Sequence, residues 1–219
     1  INNFTKIFQS ISRSTIVIGA TATPYRKGND VDSMADYYQE LIQPIDTADL
    51  IKLKFLSRAE SYGVKINTKG LKVKGDDLDT EKYYKEKKMY QRVINNWIRL
   101  TPNKKTLLFA SNVKSSKDVC NEFCERGFSA NHIDAKTPKK ERELILKWFE
   151  NTDNAILCNC GILTAGYDCP EIETIILYRA TTSLPLFMQM CGRGSRITPE
   201  KSKFTILDFG NNILRLGFW

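Results

Sequence analysis

At 219 residues the chain suits one large domain, or one domain with part of another. Hydrophobic residues at 42% and aromatics at 11% allow a packed core and argue against disorder as the default state. Lys and Arg outnumber Asp and Glu by 33 to 25, a net charge of +8 that favours a polyanionic partner, and no run of about 18 apolar residues exists to span a membrane.

The chain opens Ile1-Asn2-Asn3-Phe4-Thr5, with neither an initiator Met nor a signal-peptide pattern, and is expected to be cut from a longer protein. Residues 14–19 form a continuous apolar run with β-branched residues, which predicts a buried parallel strand running directly into Ala20-Thr21-Ala22-Thr23-Pro24. A short helix is expected over 33–42. Three glycines, several lysines and paired aspartates between 63 and 79 predict strand pieces and a linker, with a domain boundary near residue 75.

From Thr80 the pattern becomes regular. Tyr83, Tyr90, Val93, Ile94, Trp97 and Ile98 recur at helical spacing and predict one long amphipathic helix ending before Pro102. Residues 106–110 read as a buried strand. Ser115 or Ser116 is expected to cap a helix with core face Val119, Cys120 and Phe123 and a stop at Gly127. A strand over 130–133 follows, then a helix capped by Thr137, with Leu144, Ile145, Trp148 and Phe149 inward. Strands are expected at 155–158, 174–178 and 204–207, with helical segments at 160–165 and 185–191 between them. Alternating strands and helices predict an α/β fold, a parallel sheet with helices on both faces.

Six cysteines occur without a CxxC pair, and the single histidine, His132, lies near no obvious cluster. Reduced thiols in a cytoplasmic protein are expected, with no disulfide framework and no metal site.

The stretch with the most chemistry is Gln189-Met190-Cys191-Gly192-Arg193-Gly194-Ser195-Arg196. It sets two arginines three residues apart among two glycines. A guanidinium is permanently charged and its rigid fork of donors suits phosphate oxygens, so two on one helix face would clamp a polyphosphate. This stretch, Thr21-Ala22-Thr23-Pro24 and Leu163-Thr164-Ala165-Gly166-Tyr167-Asp168 are expected at carboxyl ends of buried strands or in the loops after them. Open α/β sheets place their ligands there.

In order and spacing these stretches resemble motifs III, V and VI of superfamily 2 helicases and translocases, the DExH-type motors built from two RecA-like domains. Leu107-Leu108-Phe109-Ala110-Ser111 resembles motif IV. The resemblance covers nearly the whole chain and implies a RecA-like P-loop NTPase fold. It implies the tail of a first motor domain over 1–50, a linker over 51–79 and the second motor domain over 80–219. The tail from Lys201 to Asn212 resembles the RadD-like branch, associated with DNA repair.

The resemblance also implies roles. Arg193 and Arg196 would reach the γ-phosphate of ATP held on the opposite domain, with Arg196 as arginine finger. Gln189 would bond near the phosphates or to the other domain, and Met190 stands where relatives often carry Arg. Asp168 would accept from the ribose or from a motif VI arginine, and Gly166 would let backbone approach a ligand closely. Thr164 is a candidate donor to a nucleic-acid phosphate or else a helix cap. Thr21 and Thr23 would couple nucleotide state to the nucleic-acid track, and Arg26 would meet either the other domain or a phosphate. Ser111, Asn112 and Lys114 are candidate phosphate contacts or a solvated loop.

No Gly-x-x-x-x-Gly-Lys-Ser/Thr and no Asp-Glu-x-His occurs. ATP and Mg2+ are therefore expected to need ligands outside this chain, and the chain alone is expected to hydrolyse no ATP. The expected partners are a first RecA-like domain and DNA, with RNA left open. The expected function is the carboxyl-terminal motor domain of an ATP-dependent DNA helicase or translocase in repair or recombination. The alternatives are a non-catalytic nucleic-acid-binding module with a degenerate motor fold, and the motor subunit of a restriction system.

Overall fold

A computed structural model describes residues 3–12, 14–21, 37–42, 45–86 and 88–219. The chain divides into two units, Ile1–Asp46 and Thr47–Trp219. In the first, helix α1 (Asn3–Ser10) sets Phe8 against Tyr37 and Tyr38, with ring centroids 5.0 and 5.6 Å apart. Residues 15–21 join no ladder, and Ile16 and Ile18 stand 87% and 88% exposed. The strand expected over 14–19 is thus not formed. An extended run becomes a buried strand only where neighbours take up its N–H and C=O groups, and no strand of this unit lies among the described residues. Of the helix expected over 33–42, residues 33–36 lie outside the described residues and 37–42 are not helical.

The second unit opens with α2 (Thr47–Lys52), strand β1 (Arg58–Gly63) and the two short strands β2 (Val73–Lys74) and β3 (Asp77–Leu78). It continues through α3 (Glu81–Glu86), α4 (Met89–Leu100), β4 (Thr106–Ala110), α5 (Val113–Glu125), β5 (Ala130–Asp134) and α6 (Lys139–Asn151). The last elements are β6 (Ile156–Cys160), β7 (Thr174–Tyr178), α7 (Leu184–Gly192), β8 (Lys203–Asp208) and α8 (Asn212–Leu216). Six strands form one sheet in the order β1-β8-β7-β4-β6-β5, parallel throughout.

The centre of the sheet follows from the sequence. All five residues of β4 and of β7 are buried, as a strand covered on both faces requires. Side chains alternate across the pleat. Leu108 and Ala110 join Val93, Ile94, Trp97, Val119 and Phe123 of α4 and α5 on one face. Leu107 and Phe109 join Phe149 of α6 and Phe187 of α7 on the other. Helices therefore cover both faces, and the RecA-like α/β layout is present.

Several expectations are corrected. Residues 51–79, expected as a linker, hold the edge strand β1, which pairs with β8 from Arg58↔Lys203 to Gly63↔Asp208. Its polar sequence Arg58-Ala-Glu-Ser-Tyr-Gly hides it, because an edge strand carries charges where a central strand carries apolar residues. The β2–β3 hairpin docks on the loop after β7: Arg179 grips Asp77 through Nε at 3.1 Å and Nη2 at 2.7 Å, and Leu78 N–H donates to Ala180 O. The single helix expected from Thr80 is two, broken where Lys88 takes a left-handed conformation (φ 44°). The cap of α5 is Asn112, whose side chain accepts from Ser115 N–H at 2.8 Å, and not Ser115 or Ser116. Thr137 does not cap α6; its Oγ1 accepts from Asp134 N–H at 2.9 Å. Leu144 faces water (69% exposed) while Phe149 carries the core face. No helix forms over 160–165, where Gly161 (φ 70°) and Leu163 (φ 63°) turn the chain left-handed. Among the described residues no helix is long and apolar enough to cross a membrane.

Candidate functional site

In a parallel sheet, the segment after a crossover helix lies at the amino end of the next strand. Helix α7 thus delivers residues 193–202, in the connection that follows β7, to the amino end of β8. Its first turn is set by Ser183, whose Oγ accepts from Leu186 N–H, with Pro185 in the first turn. Past Gly192 the backbone continues in tighter turns: the N–H groups of Arg193, Gly194 and Ser195 donate to the carbonyls of Met190, Cys191 and Gly192. The two arginines consequently follow the helix and do not sit on it, but in i→i+3 turns residues three apart share one side. A helix C-terminus also favours cations.

Residues 161–173 leave the carboxyl end of β6 and reach the amino end of β7 with no helix between. The two loops meet there. Arg193 donates from Nη2 to Thr164 O at 2.9 Å and from Nη1 to Tyr167 O. Burial, then the Arg196 charge beside it, push its pKa down, although a guanidinium stays protonated at any working pH. Arg196 donates from Nε to Asp168 Oδ1 at 3.2 Å, with side chains 52% and 65% exposed. Its two Nη atoms have no partner among the described residues. An exposed pair of this kind is worth about 0–1 kcal/mol, so phosphate oxygens can displace the carboxylate readily.

The backbone of the arginine loop is pinned from below. Ser57, just before β1, donates its N–H to Ser195 O at 2.7 Å and its hydroxyl to Arg196 O at 2.9 Å. Gly194 has no room for a side chain: a Cβ there would overlap the Phe204 ring. Gly166 is required by its own backbone. Space around it is open, and its φ of 73° is what demands glycine. Gln189 is half-buried on α7, and Met190 is wholly buried in the core, so an arginine there would find no water.

The carboxyl end holds a second group. Ser111, whose N–H donates to Tyr178 O at 3.2 Å, leads into Asn112 at the head of α5, with Lys114 exposed in its first turn. Beside them lies a cleft lined by Val113, Lys117, His132, Asp134, Lys136 and Thr137. His132, read from sequence as isolated, is bonded through Nδ1 to Ser116 Oγ at 2.8 Å and through Nε2 to Asp134 Oδ2 at 3.0 Å. The His132 bond holds the Asp134 carboxyl below its usual range. The alternation of His132 and Asp134 along β5 was the sequence signal that could have placed both on one strand face. Ser116 is fully buried, so the row ties α5 to β5 and offers no accessible nucleophile. Thr164 is half-buried in the loop after β6, its carbonyl held by Arg193. Thr21 is exposed; Thr23 and Arg26 lie outside the described residues. Among the described residues no three His, Cys, Asp or Glu side chains converge as a metal site.

The family model for the helicase conserved C-terminal domain matches residues 86–198, about half of the chain, and spans both groups. The chain belongs to that family. A 51.5 kDa protein of a Lactococcus phage (isolate 7-9) is 32% identical to this helicase domain over 192 residues, 86% of this chain and 42% of its own length. The protein irc3 of Schizosaccharomyces pombe, named as a mitochondrial ATP-dependent helicase, is 33% identical over 205 residues, 91% of this chain and 34% of its own. The chain thus spans less than half the length of either relative. Among solved structures, a fragment described as an HsdR subunit of a type I restriction enzyme from Vibrio vulnificus YJ016 superposes with a TM-score of 0.59. It covers 75% of this chain and 34% of that one at 18% identity, a likeness of fold.

Proposed function

We propose that this helicase domain is the second motor domain of an ATP-dependent DNA helicase or translocase. It would complete an ATP site whose phosphate cradle and Mg2+ ligands sit on a partner RecA-like domain. The observation that carries the reading is the unequal state of the two arginines. Arg193 spends both Nη atoms on main-chain carbonyls, while among the described residues the half-exposed Arg196 side chain is held by a weak, exchangeable bond to Asp168.

The residues fit a polyphosphate on that ground. When bound, ATP supplies the transferable γ-phosphoryl group. Arg196 swings its unpartnered Nη atoms onto that group and stabilises the charge that spreads in transfer, an effect worth about 10³–10⁵ in rate in other phosphate hydrolases. Asp168 accepts from the ribose or returns Arg196 to its resting pose. Arg193 orients the loop that carries Asp168, and Gln189 faces the phosphates or the partner domain. Thr21 and Thr23, with Arg26, relay closure toward the nucleic acid. Ser111, Lys114 and Thr164 hold the DNA backbone without reading its sequence, and Asn112 serves them through the head of α5 that it caps.

The name of irc3 supports ATP dependence, and the tail from Lys201 to Asn212 supports a RadD-like repair role. The HsdR-like fold keeps a restriction motor as the second reading. The test is nucleic-acid-stimulated ATP hydrolysis by the chain joined to its nucleotide-holding domain. Arg196→Ala should cut kcat about 10³-fold or more. An unchanged rate would remove the arginine-finger assignment. Stimulation by duplex, single-stranded and branched DNA, against RNA, assigns the substrate.

A further inference from the structure

Lys201 lies two residues before β8 and is 6% exposed. Its Nζ donates to three main-chain carbonyls: Pro170 O, Ile172 O at 2.8 Å and Gly194 O at 3.0 Å. An ammonium has three donors and no acceptor, so all three are spent. Pro170 and Ile172 follow Asp168 by two and four residues, and Gly194 lies between Arg193 and Arg196. One nitrogen therefore joins the two loops that carry the Arg196–Asp168 pair.

The cage works only with the proton on. A neutral amine keeps two N–H groups and turns a lone pair toward the third carbonyl, an oxygen that repels it. Among the described residues no carboxylate touches the ammonium. The titratable groups facing it are Cys169, Glu171 and Glu173 of the loop 161–173, and Ser57, bonded to its carbonyl from the start of β1, is uncharged. Burial pushes the Lys201 pKa down to about 8.

We propose that Lys201 is a positioning residue for the arginine site: its ammonium locks residues 164–172 to residues 193–196, sets Arg196 beside Asp168, and lets that register go when its proton leaves. The inference rests on the arginine-finger reading of Arg196.

The sign of the pH effect separates positioning from mere stability. A lysine ionises near pH 10.4 in an unfolded chain, so between about pH 8 and 10.4 the unfolded state binds the extra proton, and through this group stability rises with pH. Catalysis should move the other way. In the chain joined to its nucleotide-holding domain, kcat should fall about tenfold from pH 7 to pH 9 with a midpoint near 8, while KM for ATP changes less. Lys201→Met should lower kcat at pH 7 by about tenfold or more and flatten the profile.

A Lys201→Met protein with the wild-type kcat and alkaline decline overturns the proposal. If that variant does not fold, the wild-type protein decides. A falling kcat with a melting temperature that holds or rises supports the proposal, and a flat kcat from pH 7 to 9 overturns it. The Arg196→Ala arm keeps the two ideas apart. Loss in Arg196→Ala without loss in Lys201→Met sinks the Lys201 inference alone, and no loss in either sinks the arginine-finger reading with it.

Discussion

Arg193 and Arg196 are the same residue three positions apart, and their surroundings give them different work. Removing Arg193 orphans the carbonyls of Thr164 and Tyr167, so Arg193→Ala should destabilise the fold by about 1–3 kcal/mol. Arg193→Lys should not restore it, because a point charge cannot bridge two carbonyls as a planar fork does. Arg196→Ala, at an exposed pair, should stay within about 0.5 kcal/mol of the parent. Urea denaturation of the three variants checks this, and equal losses would contradict the division of labour. The spacing of the pair was legible in the sequence, since it is a local pattern. Which arginine is anchored was not, because its partners lie 26 and 29 residues away. Lys201 was illegible for the same reason. In Lys201-Ser202-Lys203 it reads as one more surface charge, and three carbonyls from two distant loops make it a buried one.

At the scale of elements, legibility followed burial. Strands β4 and β7, apolar along their whole length, were plain in the sequence, whereas the polar edge strand β1 passed for a linker. Caps were harder. Hydroxyls at Ser115 and Ser116 have the right chemistry but lie inside α5, and Asn112 won because a cap must accept from an N–H three residues on. Asn112→Ala should lower stability by about 1 kcal/mol, measured by thermal melting. Its cap oxygen is committed to Ser115 N–H, so on the proposed DNA-binding role any weaker binding in Asn112→Ala should track the loss of helix order by circular dichroism.

For the whole molecule, the sheet of the second unit finds every strand partner between residues 58 and 208. Residues 47–219 expressed alone should therefore unfold cooperatively, with β-strand and helix signals melting together. Separate transitions would show that the sheet needs more than it contains. The first unit was the least legible. Its apolar run at 14–19 has the composition of a core strand, and composition does not supply a neighbour.

The helix-less return from β6 to β7 has a mechanical consequence. It is a short strut from one end of the sheet to the other, fastened by Arg193 at Thr164 and Tyr167 and by Lys201 at Pro170 and Ile172. Five-residue strands set that height at roughly 16 Å. A body braced along its height transmits displacement without absorbing it. On the proposed motor role, spin labels at one end of the sheet and at the other should keep a constant separation with and without ATP, all the stroke appearing as movement of the domain as one piece.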